Sequence, residues 1–212
     1  MMMALKEVIE RKGLFCAVYS DRASHFFETP KAGGPVDRQR RTQVGRALAE
    51  LRIELIPAYS PQARGRSERN FGTWQGRLPQ ELRVAGIRTV GEANRFLREQ
   101  YIAEFNRRFA LPAQERGTAF LPARSRDLDR IFSIQHERVV NRDNTVQLDQ
   151  QVLQIEKVRW RGTLAGCRVI LCEHLDGRLT IHYGPHRVAT FSASQRPRKK
   201  GADPSKGKTQ AA

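Results

Sequence analysis

Apolar residues along this chain fall into several short, distinct patterns. Over residues 3–12, Leu5, Val8 and Ile9 recur at helical spacing, and Gly13 is placed to end the helix. Leu14-Phe15-Cys16-Ala17-Val18-Tyr19 is a continuous apolar run, which predicts a strand buried on both faces of a mostly parallel sheet. Residues 28–37 carry Pro30, Gly33, Gly34 and Pro35 and read as a loop. Residues 41–51 place Val44, Leu48 and Leu51 on one helical stripe, and residues 53–59 form the next predicted strand. Ser60 is a good N-cap and Pro61 a good first helical residue, so a helix should open there and bend or end near Pro79. Thr89-Val90-Gly91-Glu92 is a capping box that opens a further helix, with Ala93, Phe96, Leu97, Tyr101 and Phe105 toward the core.

The second half reads differently. Pro112, Gly117 and Pro122 make residues 111–138 a connector with one short helix near 125–131. From Val139 the period becomes two, with strands expected over 145–155, 167–172, 178–183 and 187–191 and a hairpin turn at Asp176-Gly177. Strands this short and close predict a small β-barrel over 139–191. Residues 192–212 hold six Lys and Arg against one Asp and read as a disordered basic tail.

Charge sharpens the picture. The formal net charge is +16 over 212 residues, and arginine dominates lysine outside the tail. Arginine is the better bidentate phosphate ligand, so a polyanion such as DNA or RNA is the expected partner. A merely solvated basic surface is the rival reading. No apolar run approaches the roughly 20 residues that span a bilayer, so no membrane partner is expected. Three scattered cysteines (Cys16, Cys167, Cys172) make no disulfide framework and fit a reducing, cytoplasmic setting.

The candidate chemistry lies on two carboxylates. Asp21 follows the first predicted strand, where open α/β sheets place their sites. Glu68 lies two turns into the helix that opens at Ser60-Pro61, among Arg64, Arg66 and Arg69. Two such carboxylates can share hard divalent cations and serve phosphoryl transfer on nucleic acid. The arginines can equally form ordinary helix ion pairs with Glu68.

Two motifs, Tyr19-Ser20-Asp21-Arg22-Ala23-Ser24-His25-Phe26 and Pro61-Gln62-Ala63-Arg64-Gly65-Arg66-Ser67-Glu68-Arg69, resemble the integrase catalytic core of DDE transposases and retroviral integrases. Gly72-Thr73 and Glu104-Phe105-Asn106-Arg107-Arg108 resemble bacterial insertion-sequence transposases, with the ISNCY group as a candidate. The resemblance spans about residues 4–110. It implies an α/β fold: a partial RNase H-like integrase core over 1–110, followed by the small all-β barrel. It implies that Asp21 and Glu68 are the second and third acids of an Asp-Asp-Glu metal triad that holds two Mg2+ or Mn2+ ions. The implied function is DNA transposition: metal-dependent phosphodiester hydrolysis at a transposon end, then strand transfer. The implied partner is DNA, both transposon ends and target, in a bacterial, nucleoid-associated setting; a homo-oligomer is left open. Residues 1–13 supply neither the first strand nor the first Asp, so the expectation is an N-terminally truncated copy, inactive alone. A non-catalytic DNA-binding or subunit-interaction remnant is the alternative.

Other candidates are weaker. Gln62, Arg64, Arg66 and Arg69, with Arg198, Lys199 and Lys200 of the tail, are the expected DNA contacts. His25 is a loop histidine near Asp21. Phe71 and Trp74 could stack on an unpaired base, although core packing is the stronger reading. Arg159, Arg161, Arg168 and Arg178 would give the barrel a basic face. Cys172, His174, His182 and His186 have the residue types of a zinc site but no knuckle spacing, so a core cysteine with surface histidines is expected.

Overall fold

The computed structural model describes residues 1–31, 34–111, 114, 115, 117–124 and 126–193, without the side chains of Pro61, Ala63, Arg64 and Arg66. The expected basic tail, with Arg198, Lys199 and Lys200, lies outside the described residues. The architecture is mixed helix and sheet in two compact units, residues 14–122 and residues 1–13 with 123 onward.

In the unit of residues 14–122, β1 (Ala17–Ser20) pairs in parallel with β2 (Glu54–Pro57), in the register Ala17 opposite Glu54 through Ser20 opposite Pro57. Parallel neighbours need a crossover connection, and the loop after β1 with α2 (Gln43–Glu50) supplies it. The Thr42 hydroxyl caps α2 by accepting from the Gly45 N–H at 3.1 Å. Val44, Leu48 and Leu51 of the expected stripe are buried, and Ala47 with them. The first apolar run is corrected in two ways. Its strand begins only at Ala17, because Leu14 exchanges backbone bonds with Leu121 instead. It is also not buried on both faces: Tyr19 is 64% exposed. Only β2 pairs with β1 among the described residues, so nothing in a wider sheet covers it.

From β2 the chain enters α3 (Pro61–Val84), which runs through Pro79 rather than stopping there. Pro79 removes the bond to the Gln75 carbonyl, but both residues are exposed, where water can replace the lost donor. Thr89 and Glu92 make the expected capping box at the start of α4 (Val90–Phe96). A π-helical turn (Leu97–Tyr101), which the sequence pattern does not foretell, links α4 to α5 (Ile102–Phe109).

In the other unit, α1 (Met2–Lys12) ends at Gly13, whose φ of 105° favours glycine. The short helix α6 (Leu128–Ile131) precedes β3 (Ile134–Val139), a strand within the stretch read as connector. β6 (Arg168–Glu173), β7 (Leu179–Tyr183) and β8 (His186–Phe191) complete an antiparallel sheet in the order β3-β6-β7-β8. Residues 145–155 are a hairpin, not one strand: β4 (Thr145–Leu148) turns at Asp149, φ 52°, into β5 (Gln151–Gln154). The core joins Val146, Leu148, Leu153 and Ile155 of the hairpin region to Val169, Leu171, Leu179 and Ile181 of the sheet. The expected barrel is therefore corrected. The described strands form an open four-stranded sheet and a separate hairpin, because β3 and β8 each pair on one side only.

Candidate functional site

Asp21 and the start of α3 occupy one edge of the parallel pair. The strands run the same way, so the chain leaves both at their carboxyl ends. The Ala58 N–H donates to the Ser20 carbonyl at 2.9 Å, which carries the pairing one residue past β2. Asp21 is half-buried, and its carboxylate accepts from the Ala23 N–H at 3.3 Å, folding the chain back just after the strand.

Two residues at the strand ends, one directly after Asp21 and one just before the cap of α3, tie this edge together, and the sequence reading passed over both as site residues. The Arg22 guanidinium lies over the Tyr59 ring, 5.0 Å from its centroid. Arg22 Nη1 also donates to the Gly34 carbonyl at 2.7 Å, and the Tyr59 hydroxyl accepts from the Val36 N–H at 3.3 Å. The loop over 34–36 is thus fastened to both strand ends. The available signal was positional: Arg22 follows the candidate acid directly, and Tyr59 precedes the helix cap Ser60.

Glu68 is exposed on α3. Seven residues from Pro61 at 1.5 Å each put it roughly 10 Å along the helix axis from the helix start. Gln62 and Arg69 are also exposed on this helix, open to a ligand in solution. The side chains of Arg64 and Arg66 lie outside what is described. His25 is exposed and packs against Phe26, with ring centroids 4.4 Å apart. Trp74 packs on Tyr101 and Phe105 at 5.3 and 5.0 Å, a core role, whereas Phe71 is 64% exposed.

Among the described residues no group of three or more His, Cys, Asp or Glu side chains is arranged to hold a metal ion. The zinc candidates separate accordingly. Cys172 is buried in β6, His186 is exposed, and His174 and His182 both hydrogen-bond to Thr180 Oγ1, at 2.8 and 3.0 Å. The expectation of surface histidines fails for His182, which is 7% exposed. On the same unit, Arg168 pairs with Glu137 and Arg178 with Asp176, so those charges are partly neutralised; Arg161 donates to the Tyr183 hydroxyl at 3.1 Å. Among the described residues no helix is long and apolar enough to cross a membrane.

No protein-family model matches the chain. It is 34% identical over 210 residues to the candidate transposase y4bF of Sinorhizobium fredii, a match covering 91% of this chain and 42% of that protein. It is 35% identical over 105 residues to the transposase for insertion sequence IS1202 of Streptococcus pneumoniae, covering 50% of this chain and 22% of that protein. The chain is transposase-like in sequence over most of its length, and it spans less than half the length of these curated relatives.

Proposed function

We propose that this chain is part of a bacterial insertion-sequence transposase, and that Asp21 and Glu68 are acids of its phosphoryl-transfer site on DNA. The observation that carries the reading is the shared strand edge: Asp21 leaves β1 where α3, the helix of Glu68, leaves β2. The similarity to two proteins named as transposases supports it. In this reading the parallel pair and α3 are the part of an RNase H-like DDE core that this chain supplies.

The donor set fits a hard divalent cation, since Asp21 and Glu68 offer only carboxylate oxygens. Bound Mg2+ or Mn2+ would supply Lewis-acid activation of the attacking oxygen and neutralise charge on the scissile phosphate. The chain's own part is positional. The turn at Ala23 and the Arg22–Tyr59 contact hold the strand edge, while Gln62 and Arg69 present a donor and a cation for DNA phosphates. Two carboxylates leave most coordination positions to water, so binding should be weak.

Manganese calorimetry on the native chain and on an Asp21→Asn, Glu68→Gln double variant tests the site. A binding heat in the native chain, absent from the variant, is the expected result. Superimposable titrations would remove Asp21 and Glu68 as metal ligands.

A further inference from the structure

Away from the strand edge, α3, the end of α4, the π turn and α5 line an open cavity of about 450 Å3. That volume lies in the range of small-ligand sites. Its walls are aromatic: Phe96, Tyr101, Phe105 and Phe109, with Trp74 packed behind Tyr101 and Phe105. Of the three arginines at its lining, Arg107 and Arg108 both bond the Glu104 carboxylate, while Arg77 has no ion pair among the described residues and its guanidinium sits 5.0 Å from the Phe109 ring centroid.

Two further observations mark it as a binding site rather than a packing gap. The Tyr101 hydroxyl is buried with no hydrogen-bond partner among the described residues, on a residue only 7% exposed. A buried, unsatisfied hydroxyl is costly, and native proteins rarely keep one without a use. The backbone that carries Tyr101 is the π turn, closed by the Ile102 N–H donating to the Leu97 carbonyl. Such turns insert an extra residue at a cost in helix geometry and recur at functional sites.

We infer that this cavity binds a single unstacked nucleobase with its phosphate. A nucleotide offers flat faces for the aromatic walls, an anion for Arg77, and an edge of donors and acceptors for the Tyr101 hydroxyl, which is shut off from solvent until that ring turns toward the ligand. An acyl chain would leave the hydroxyl and the Arg77 cation, which has no ion pair among the described residues, without partners. The inference rests on the DNA reading above and adds to it a site where a nucleotide is held out of the helix stack. Unstacking costs least at an unpaired or mismatched base, so those are the preferred substrates.

The test uses the full chain in a Trp160→Phe background, which leaves Trp74 as the only tryptophan of two. Deoxyadenosine monophosphate and a fluorescein-labelled single-stranded oligonucleotide are titrated separately, reading Trp74 emission for both and anisotropy for the second. Both ligands are expected to quench Trp74. Tyr101→Phe should weaken binding about five-fold, the scale of one net hydrogen bond, with no loss of folding stability because the removed hydroxyl has no partner to lose. Phe109→Ala, at a 44% exposed position, should weaken it roughly ten-fold through lost stacking. Anisotropy that rises while Trp74 stays unchanged would overturn the inference and leave the DNA reading standing. Quenching by the mononucleotide without oligonucleotide binding would do the reverse. Quenching untouched by both substitutions, or no response to either ligand, also overturns the inference.

Discussion

Arg22 and Tyr59, 37 positions apart in sequence, meet as a cation over an aromatic ring at 5.0 Å, and each also bonds the loop of residues 34–36. The contact links the residue after Asp21 to the residue before the cap of α3. It should therefore control where Asp21 sits relative to that helix. Tyr59→Phe removes only the bond to Val36 and should cost about 1 kcal/mol. Tyr59→Ala also removes the ring under Arg22 and should cost about 1 kcal/mol more. Urea denaturation measures both. The site reading adds that Tyr59→Ala lowers manganese binding beyond its effect on folding, measured at a temperature where the variant is fully folded.

His182 predicts a pH dependence. Burial lowers its pKa below the ordinary 6.5 and the positive charge of Arg130 adds to this; Asp127 opposes, and His174 and Arg187 lower it a little further. The sign follows from linkage: the unfolded chain takes up a proton that the folded chain refuses. Its contribution to stability is complete above pH 6.5 and falls as pH drops below that value. The hydrogen bonds around it have assignable directions. The Asp129 carbonyl can only accept, so His174 Nδ1 donates to it at 3.2 Å. His174 Nε2 can then accept from the Thr180 hydroxyl, whose oxygen accepts from His182 Nε2–H. Between pH 7 and pH 5 native stability should fall with a slope approaching, at most, about 1.4 kcal/mol per pH unit from this group. His182→Gln keeps a donor for Thr180 and should flatten the slope; an unchanged slope would show that His182 does not titrate across this range.

Legibility in the sequence tracked locality. Thr89 with Glu92, and Gly13, mark their helix ends because caps act over a few residues, whereas the Thr42 cap was passed over and its helix begins at Gln43 rather than at 41. Asp21 was found at a strand end because a short apolar run precedes it. What escaped depends on partners distant in sequence. Leu14 left its strand for Leu121, and the openness of the sheet depends on whether β3 and β8 meet. Period two alone cannot decide closure, since open and closed sheets alternate alike. β3 was missed because Ile134-Gln135-His136-Glu137-Arg138-Val139 is mostly polar. The π turn has no composition that distinguishes it from the α-helix on either side.

At α1 a buried side chain and an ion pair can be compared directly. Ile9 is 1% exposed, and Lys6 Nζ donates to the Asp129 carboxylate, which holds that acid below its ordinary pKa. The ion pair is half in solvent, at 22% and 52% side-chain exposure, so screening leaves it little net value. Lys6→Met should change stability by less than about 1 kcal/mol. Ile9→Ala should cost about 2–4 kcal/mol, because it removes buried methyl groups and leaves a cavity. Urea midpoints of the two variants give the comparison. A larger loss from Lys6→Met would mean that charge, not packing, holds the helix.

The net charge of +16 makes the DNA reading measurable through salt. Each phosphate neutralised releases condensed counterions, with a slope of about −0.9 in log K against log salt per contact on duplex DNA. Of the cations in this sequence, six lie in residues 192–212. Deleting those residues should reduce the magnitude of the slope by several units at most, without abolishing binding, because Arg69 and the other arginines of the two units remain. Arg69→Gln in the shortened chain should lower it by a further unit or so if that residue meets a phosphate. Sequence preference should be unchanged by either change, since phosphate contacts carry no base information. Anisotropy of a labelled duplex across a salt series reads all three quantities. An unchanged slope after the deletion would place the contacts wholly on the two units, and no affinity at low salt would end the DNA reading.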